Sequence, residues 1–202
     1  MTQDLASRRT IVGRWIAATS VGANILLCSA SDDAMAQALP ATPSCGPDDA
    51  PTLAQTEGPY FKPATPEKRD FRGDAQGEPF SLVGFVVDRR CRPIPRALVE
   101  LWHADAQGAY DNQGYRLRGH QFSDARGRYV FDTITPGVYP GRTRHYHVKA
   151  QAPGGRVLTT QLYFPDESAN RRDGIFDRRL LMRVEAASDG KVGRFDFVLN
   201  LA

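Results

Sequence analysis

The chain has 202 residues, a formal net charge of +3, 41% hydrophobic residues and 24% charged residues. That is room for one globular unit rather than several catalytic domains, and no Lys/Arg block interleaved with aromatics offers a face to nucleic acid. Fourteen prolines and eighteen glycines interrupt the chain too often for a helical bundle and favour short strands joined by turns.

Residues 1–38 read as an export signal of the twin-arginine type. Arg8 and Arg9 precede a modestly apolar run over 15–27, and Ala34, Ala36 and Ala38 supply small residues for a signal peptidase. A charged start for the general secretory route is the competing reading of the two arginines. The run is too short to cross a bilayer comfortably, and no other stretch is long and apolar enough, so no transmembrane segment is expected. Export implies a periplasmic or extracellular protein. Cleavage after Ala38 would retain Cys45 and Cys91 of the three cysteines. In an oxidising compartment this pair can close a disulfide worth about 2–4 kcal/mol, with two independent thiols as the alternative.

Residues 39–80 are rich in Pro, Ala, Thr, Gly and Asp without periodicity and read as an extended N-terminal arm, interrupted by the compact Gln55-Thr56-Glu57-Gly58-Pro59-Tyr60-Phe61. Over residues 81–202, strand-like segments follow at 81–88, 97–102, 128–132, 145–152, 157–164, 180–186 and 192–199. Leu98, Glu100 and Trp102 alternate with Val99 and Leu101, and Phe195, Phe197 and Leu199 alternate with Asp196, Val198 and Asn200, one face of each strand being core. Short strands without a convincing long helix predict an all-β fold, an antiparallel β-sandwich with long loops. Residues 165–179 are polar and turn-rich, a surface excursion.

Chemistry must draw on His103, His120, His145 and His147. In Arg142-Thr143-Arg144-His145-Tyr146-His147 the strand period of two puts both imidazoles on one face, able to reach one metal, with Tyr146 pointing away. By itself the pattern suits a metal site and a pair of surface or core histidines equally. No cysteine or further histidine completes a zinc pattern, so phenolates are the available extra ligands, with Tyr110 and Tyr139 in turn-rich loops at strand ends. A phenol titrates near pH 10, and ferric iron is the natural Lewis acid to hold it ionised at neutral pH. Spacing does not choose these two over Tyr115 or Tyr146.

At these residues the chain resembles the intradiol ring-cleavage dioxygenases, the family of catechol 1,2-dioxygenase and protocatechuate 3,4-dioxygenase, in a short exported form. The resemblance runs from Gln55 to about Phe164. It is carried in order by Glu57-Gly58-Pro59-Tyr60, by Val99-Glu100-Leu101-Trp102-His103-Ala104-Asp105 through Tyr110, by Ser123-Asp124-Ala125-Arg126-Gly127-Arg128-Tyr129, by Thr133-Ile134-Thr135-Pro136 through Tyr139, and by the two histidines. It implies a mononuclear non-haem Fe(III) held by Tyr110, Tyr139, His145 and His147, with Tyr139 released when substrate arrives. It also implies Arg142 over the bound ring, Gln161 near the oxygen-reactive side, and Tyr60 as pocket wall or arm packing. The implied reaction inserts both atoms of O2 between the hydroxyl-bearing carbons of a catechol-type ring, giving a cis,cis-muconate-type diacid without an external reductant.

Two departures stand out. Arg144 and Tyr146 replace the family's usual Ala and Ile beside the ligands, where they could alter the substrate pocket or the packing behind it. The long helical segment through which catechol 1,2-dioxygenases dimerise is absent, which leaves a homo-oligomer open. The competing readings are a non-enzymatic exported sandwich binding a phenolic ligand or an envelope partner, and a zinc- or copper-binding protein using His145 and His147.

Overall fold

A computed structural model describes residues 50–201. The expected signal, Cys28, Cys45 and the start of the arm lie outside the described residues. Cys91 is disulfide-bonded, and it turns the chain after the first strand with a positive φ of 60°.

The strands are β1 Pro79–Asp88, β2 Leu98–Trp102, β3 Arg118–Phe122, β4 Arg128–Ile134, β5 His145–Gln151, β6 Val157–Tyr163, β7 Arg183–Ala187, β8 Gly190–Arg194 and β9 Phe197–Leu199. They form two sheets, one ordered β4-β1-β8-β7 with β9 also pairing with β1, the other ordered β3-β2-β5-β6. The second sheet is antiparallel throughout. The first is mixed, because β8 and β9 run parallel to β1. An antiparallel sandwich was expected, and the parallel pairings correct that detail. After the β7–β8 hairpin the chain returns along β1 in the same direction. The single strand expected over 192–199 is broken at Phe195-Asp196. There Phe195 N donates to Val83 O at 3.0 Å and Asp196 Oδ1 accepts the Phe85 N–H at 3.0 Å, so a carboxylate replaces a ladder carbonyl.

Arg118–Phe122 was not expected as a strand, since RGHQF carries little β propensity. Its neighbours make it one. It pairs with β2 along its length, and on its other side the arm supplies Pro66 O to His120 N at 3.0 Å and Lys68 N to His120 O at 2.9 Å. The excursion over 165–179 contains one short 3₁₀ helix, Ser168–Arg172, and a second, Arg178–Leu180, straddles its end.

Phe80, Leu82, Tyr129 and Phe131 of the mixed sheet pack against Leu101, Tyr146, Val148, Ala150 and Leu162 of the other, all essentially inaccessible. Burying a side chain of this kind contributes roughly 1.5–3 kcal/mol. The antiparallel sheet's other face is covered as well. Glu100 and Trp102, expected to alternate with the core positions, are themselves buried, because the arm lies across them. Thr65 Oγ1 donates to Glu100 Oε1 at 2.7 Å, and the Phe61 ring meets Trp102 edge-on at 5.1 Å. Backbone bonds from Thr52 to Val198, Gln55 to Thr159 and Phe71 to Asp132 fasten the arm down. The candidate site is built on this covered face.

Candidate metal centre

β5 lies between β2 and β6, so residues projecting from it are walled on both sides. Its pleat sends Tyr146, Val148 and Ala150 into the core and His145 and His147 to the opposite face. His145 Nδ1 lies 2.7 Å from Thr143 O. A carbonyl can only accept, so Nδ1 carries the proton and the Nε2 lone pair is free to face a ligand. The His147 ring stacks on Trp102, centroids 5.0 Å apart and planes within 7°. The two Nε2 atoms are 3.1 Å apart. With bonds of about 2.1 Å, that is close to the separation of two cis ligands on one ion.

The tyrosines arrive from loops that are locked together. After β2, Asp105 Oδ1 accepts the N–H groups of Gln107 and Ala109, both at 2.9 Å, closing a turn that delivers Tyr110. After β4, the loop carrying Tyr139 docks on that turn through Gly137 N to Asp105 O at 2.7 Å. The approach requires glycine. A Cβ on Gly108, already at φ +86°, would meet Val138 O at 2.3 Å, and one on Gly137 would meet Gly108 N at 2.4 Å. Tyr110 Oη reaches to 3.4 Å from His145 Nε2. Tyr139 Oη hydrogen-bonds Tyr60 Oη at 2.8 Å, and the Tyr60 ring stacks on Tyr110 with centroids 4.4 Å apart. Sequence spacing could not single out Tyr110 and Tyr139 from seven tyrosines. The folded loops bring these two, with Tyr60, to the histidines.

Electrostatics leaves this cluster uncharged without a cation. Burial holds the His145 imidazole down to about 4, and drives His147 well below its ordinary value, with the neighbouring His145 acting in the same direction. Burial pushes the Tyr110 phenol far up, while Arg142 and Arg118 pull the other way. The Tyr60 phenol is raised, chiefly by its hydrogen bond to Tyr139. Neutral imidazoles are ready ligands, whereas a buried phenol ionises only if a strong cation sits beside it. Among the described residues no three His, Cys, Asp or Glu side chains gather into a metal-sized group. Any ion held here would be shared between imidazole and phenol donors. The donor set suits a hard, highly charged ion. Three buried polar atoms, His147 Nδ1, Trp102 Nε1 and Arg118 Nη2, find no partner among the described residues, and they belong to the ring pair and the guanidinium flanking this cluster.

Arg142 and Gln161 stand side by side, Arg142 Nη2 donating to Gln161 Oε1 at 2.6 Å. Gln161 is directly opposite His147 in the ladder, and its amide donates to Thr56 O at 3.1 Å. One expectation is corrected. Tyr146 is not part of a substrate pocket, since the strand pleat buries it in the core, its hydroxyl on Ile134 O at 2.9 Å. Arg144 also leaves the site and pairs with Glu167 Oε1 and Pro136 O, both at 2.8 Å. Trp102 and Tyr163 were missed as site residues. Neither was legible, because the place of Trp102 on His147 depends on β2 being paired to β5, and that of Tyr163 beside Arg142 on β6 being paired to β5.

A family model described as a dioxygenase matches residues 56–200. The chain is 33% identical over 150 residues to a hydroxyquinol 1,2-dioxygenase from Nocardioides simplex, covering 62% of this chain and 51% of that protein. It is 33% identical over 141 residues to the protocatechuate 3,4-dioxygenase beta chain of Burkholderia cepacia, covering 61% and 58%. The chain thus spans little more than half the length of these curated relatives. A solved dioxygenase domain from a dioxygenase carbohydrate-binding protein fusion of Streptomyces sp. SirexAA-E is 52% identical, with a TM-score of 0.74, covering 76% of this chain and all of that one. With a matching two-sheet fold and the ordered motifs on one covered face, the chain belongs to the intradiol ring-cleavage dioxygenase family.

Proposed function

We propose that the protein is a non-haem Fe(III) dioxygenase that cleaves a catechol-type ring between its two hydroxyl-bearing carbons, with O2 as co-substrate and a cis,cis-muconate-type diacid as product. The observation that carries this reading is the convergence of donors: two imidazole Nε2 atoms 3.1 Å apart, Tyr110 Oη 3.4 Å from one of them, and Tyr139 against Tyr60. Tyr110, Tyr139, His145 and His147 would hold the iron. When bound, ferric iron would hold the phenolates ionised and draw electron density from the coordinated ring so that O2 can attack carbon.

The chain's own residues supply the rest. Thr143 O fixes the His145 tautomer, and Trp102 holds the His147 ring plane. Tyr139 is the ligand suited to leave, since the Tyr60 hydroxyl at 2.8 Å already offers its oxygen another partner. Turned to Tyr60, Tyr139 Oη would take up one catechol proton. Arg142 presents a fixed positive charge to a ring that gains negative charge as it ketonises. Tyr60 forms one aromatic wall through its stack on Tyr110, and the Gln161 amide sits behind Arg142. We also propose the organisation read from the sequence: a twin-arginine signal over 1–38, an arm over 39–80 and the catalytic sandwich over 81–202, with export to the periplasm or medium.

The test is a visible spectrum of as-isolated protein during anaerobic catechol addition followed by oxygen, repeated with hydroxyquinol and protocatechuate. The expected result is about one iron per chain, a broad phenolate-to-iron band that shifts on anaerobic addition, and its recovery with diacid formation once oxygen enters. Protein that stays colourless after iron reconstitution, or that holds zinc or copper instead, overturns the proposal. Coloured protein that never turns over favours the non-enzymatic phenol binder.

A further inference from the structure

Arg142 is held far more tightly than a solvated arginine. Its Nε donates to Asp173 Oδ2 at 2.8 Å and its Nη2 to Gln161 Oε1 at 2.6 Å, with Tyr163 Oη at 3.5 Å. Among the described residues Nη1 makes no hydrogen bond, and the side chain is 21% accessible. Two nitrogens are therefore committed to the scaffold and one is left for a ligand.

The Asp173 side chain is only 1% accessible. Its Oδ2 also accepts Thr143 N at 2.9 Å, and its Oδ1 accepts Ile175 N at 3.1 Å. Thr143 is the residue whose carbonyl fixes the His145 tautomer. The backbone of Asp173 is itself tied down, its N–H on Ala169 O at the end of the first 3₁₀ helix and its carbonyl on Phe176 N, both at 3.1 Å. The polar excursion between β6 and β7 thus delivers one buried carboxylate that binds the guanidinium and, through Thr143, braces the peptide orienting a histidine. Behind it, Tyr163 Oη of β6 donates to Gln55 Oε1 at 2.8 Å, and Gln55 Nε2 donates to Ile175 O, which joins the excursion to the arm.

We propose that Asp173 is a positioning residue for catalysis, holding Arg142 and the Thr143 peptide in register so that Arg142 Nη1 faces the substrate beside the metal that His145 Nε2 would bind. This rests on the dioxygenase reading above. A buried carboxylate accepting a charge-assisted bond from the guanidinium Nε restricts it more than a neutral amide can, and Asp173→Asn retains the shape while removing the charge. Arg142 acts on the ring as it gains charge, so its misalignment is felt more in turnover than in ground-state binding.

The test compares wild type, Asp173→Asn, Asp173→Glu, Arg142→Ala and the Asp173→Asn/Arg142→Ala double variant. Iron content, thermal midpoint, the anaerobic dissociation constant for catechol and steady-state kcat and KM are measured for each. Asp173→Asn is expected to keep its iron and bind catechol within about threefold of wild type, while kcat falls about 10- to 100-fold. In the double variant the loss should be no greater than in Arg142→Ala alone. If Asp173→Asn does not fold, Asp173→Glu, which keeps the charge but moves it by one methylene, carries the same expectation with a smaller loss in kcat. Wild-type kcat in the folded variants, or losses that multiply in the double variant, overturns the inference and leaves the dioxygenase reading standing. A wild-type protein that binds iron but never turns over catechol, hydroxyquinol or protocatechuate overturns both.

Discussion

The antiparallel sheet is buried on both faces, and the two burials differ in kind. On the inner face Leu101, Tyr146, Val148 and Leu162 meet Phe80, Leu82 and Phe131 of the other sheet, contacts that are non-directional and close on themselves. On the outer face Glu100, Arg118, His145, His147 and Gln161 are buried under the arm and loops, where each polar atom needs a partner. Most find one: Glu100 in Thr65, Arg118 in Asp111 O and Tyr60 O, Gln161 in Thr56 O. Among the described residues, the atoms of this face left without one are His147 Nδ1, Trp102 Nε1 and Arg118 Nη2, beside the candidate site. Burial by a second sheet yields stability alone, whereas burial by a polar arm leaves a place where a ligand completes the structure.

That contrast can be broken at several points. The largest effect is expected from His147→Ala on the outer face, which should lose the iron and its colour and lower kcat by at least about a thousandfold, metal charge stabilisation being worth several kcal/mol. Its denaturation midpoint without metal should stay near that of metal-free wild type, as read by urea titration. Phe131→Ala on the inner side should do the reverse. A loss of about 3–5 kcal/mol in urea unfolding should leave the folded fraction with wild-type iron content. Arg142→Ala should keep the iron and lose about 10²–10³ in kcat, measured by oxygen uptake.

A pH titration of metal-free protein probes the same contrast more gently. His103, hydrogen-bonded to Thr133 and Ala104 O in the interior, and His145 are both held by burial to about 4, against 6.5 in the unfolded chain. Between those values the unfolded chain binds more protons, so stability should fall as pH drops from about 6.5 to about 4 and gain nothing further from these groups above 6.5. A urea midpoint that stays flat across that window would contradict the burial of both rings. The smallest effect is expected from Tyr146→Phe, about 1 kcal/mol for the lost bond to Ile134 O, with kcat unchanged. A substantial change in turnover there would mean that Tyr146 does reach the site.

Alternation around β5, the turn-rich composition and the order of the motifs were enough to read an all-β sandwich and to put His145 and His147 on one face, because strand periodicity is a local property. Local rules also sent Tyr146 away from the histidines, but they could not say whether the far side was pocket or core. Arg118–Phe122 escaped for the same reason, being a strand only through its partners on β2 and the arm. Resemblance to a family singled out Tyr110 and Tyr139, and the packing of Gly108 against Val138 is what brings them together. Asp173 lay in a stretch that looked like a solvated excursion. Its carboxylate is buried because Arg142, Thr143 and Ile175 converge on it from separate segments. The sequence by itself determined most of the strands and the side on which their residues stand, since those follow from neighbours in the chain. Which side became a site was decided only when the arm, two glycine-locked loops and the excursion closed over the outer face, because buried polar groups acquire their partners from residues far away in sequence.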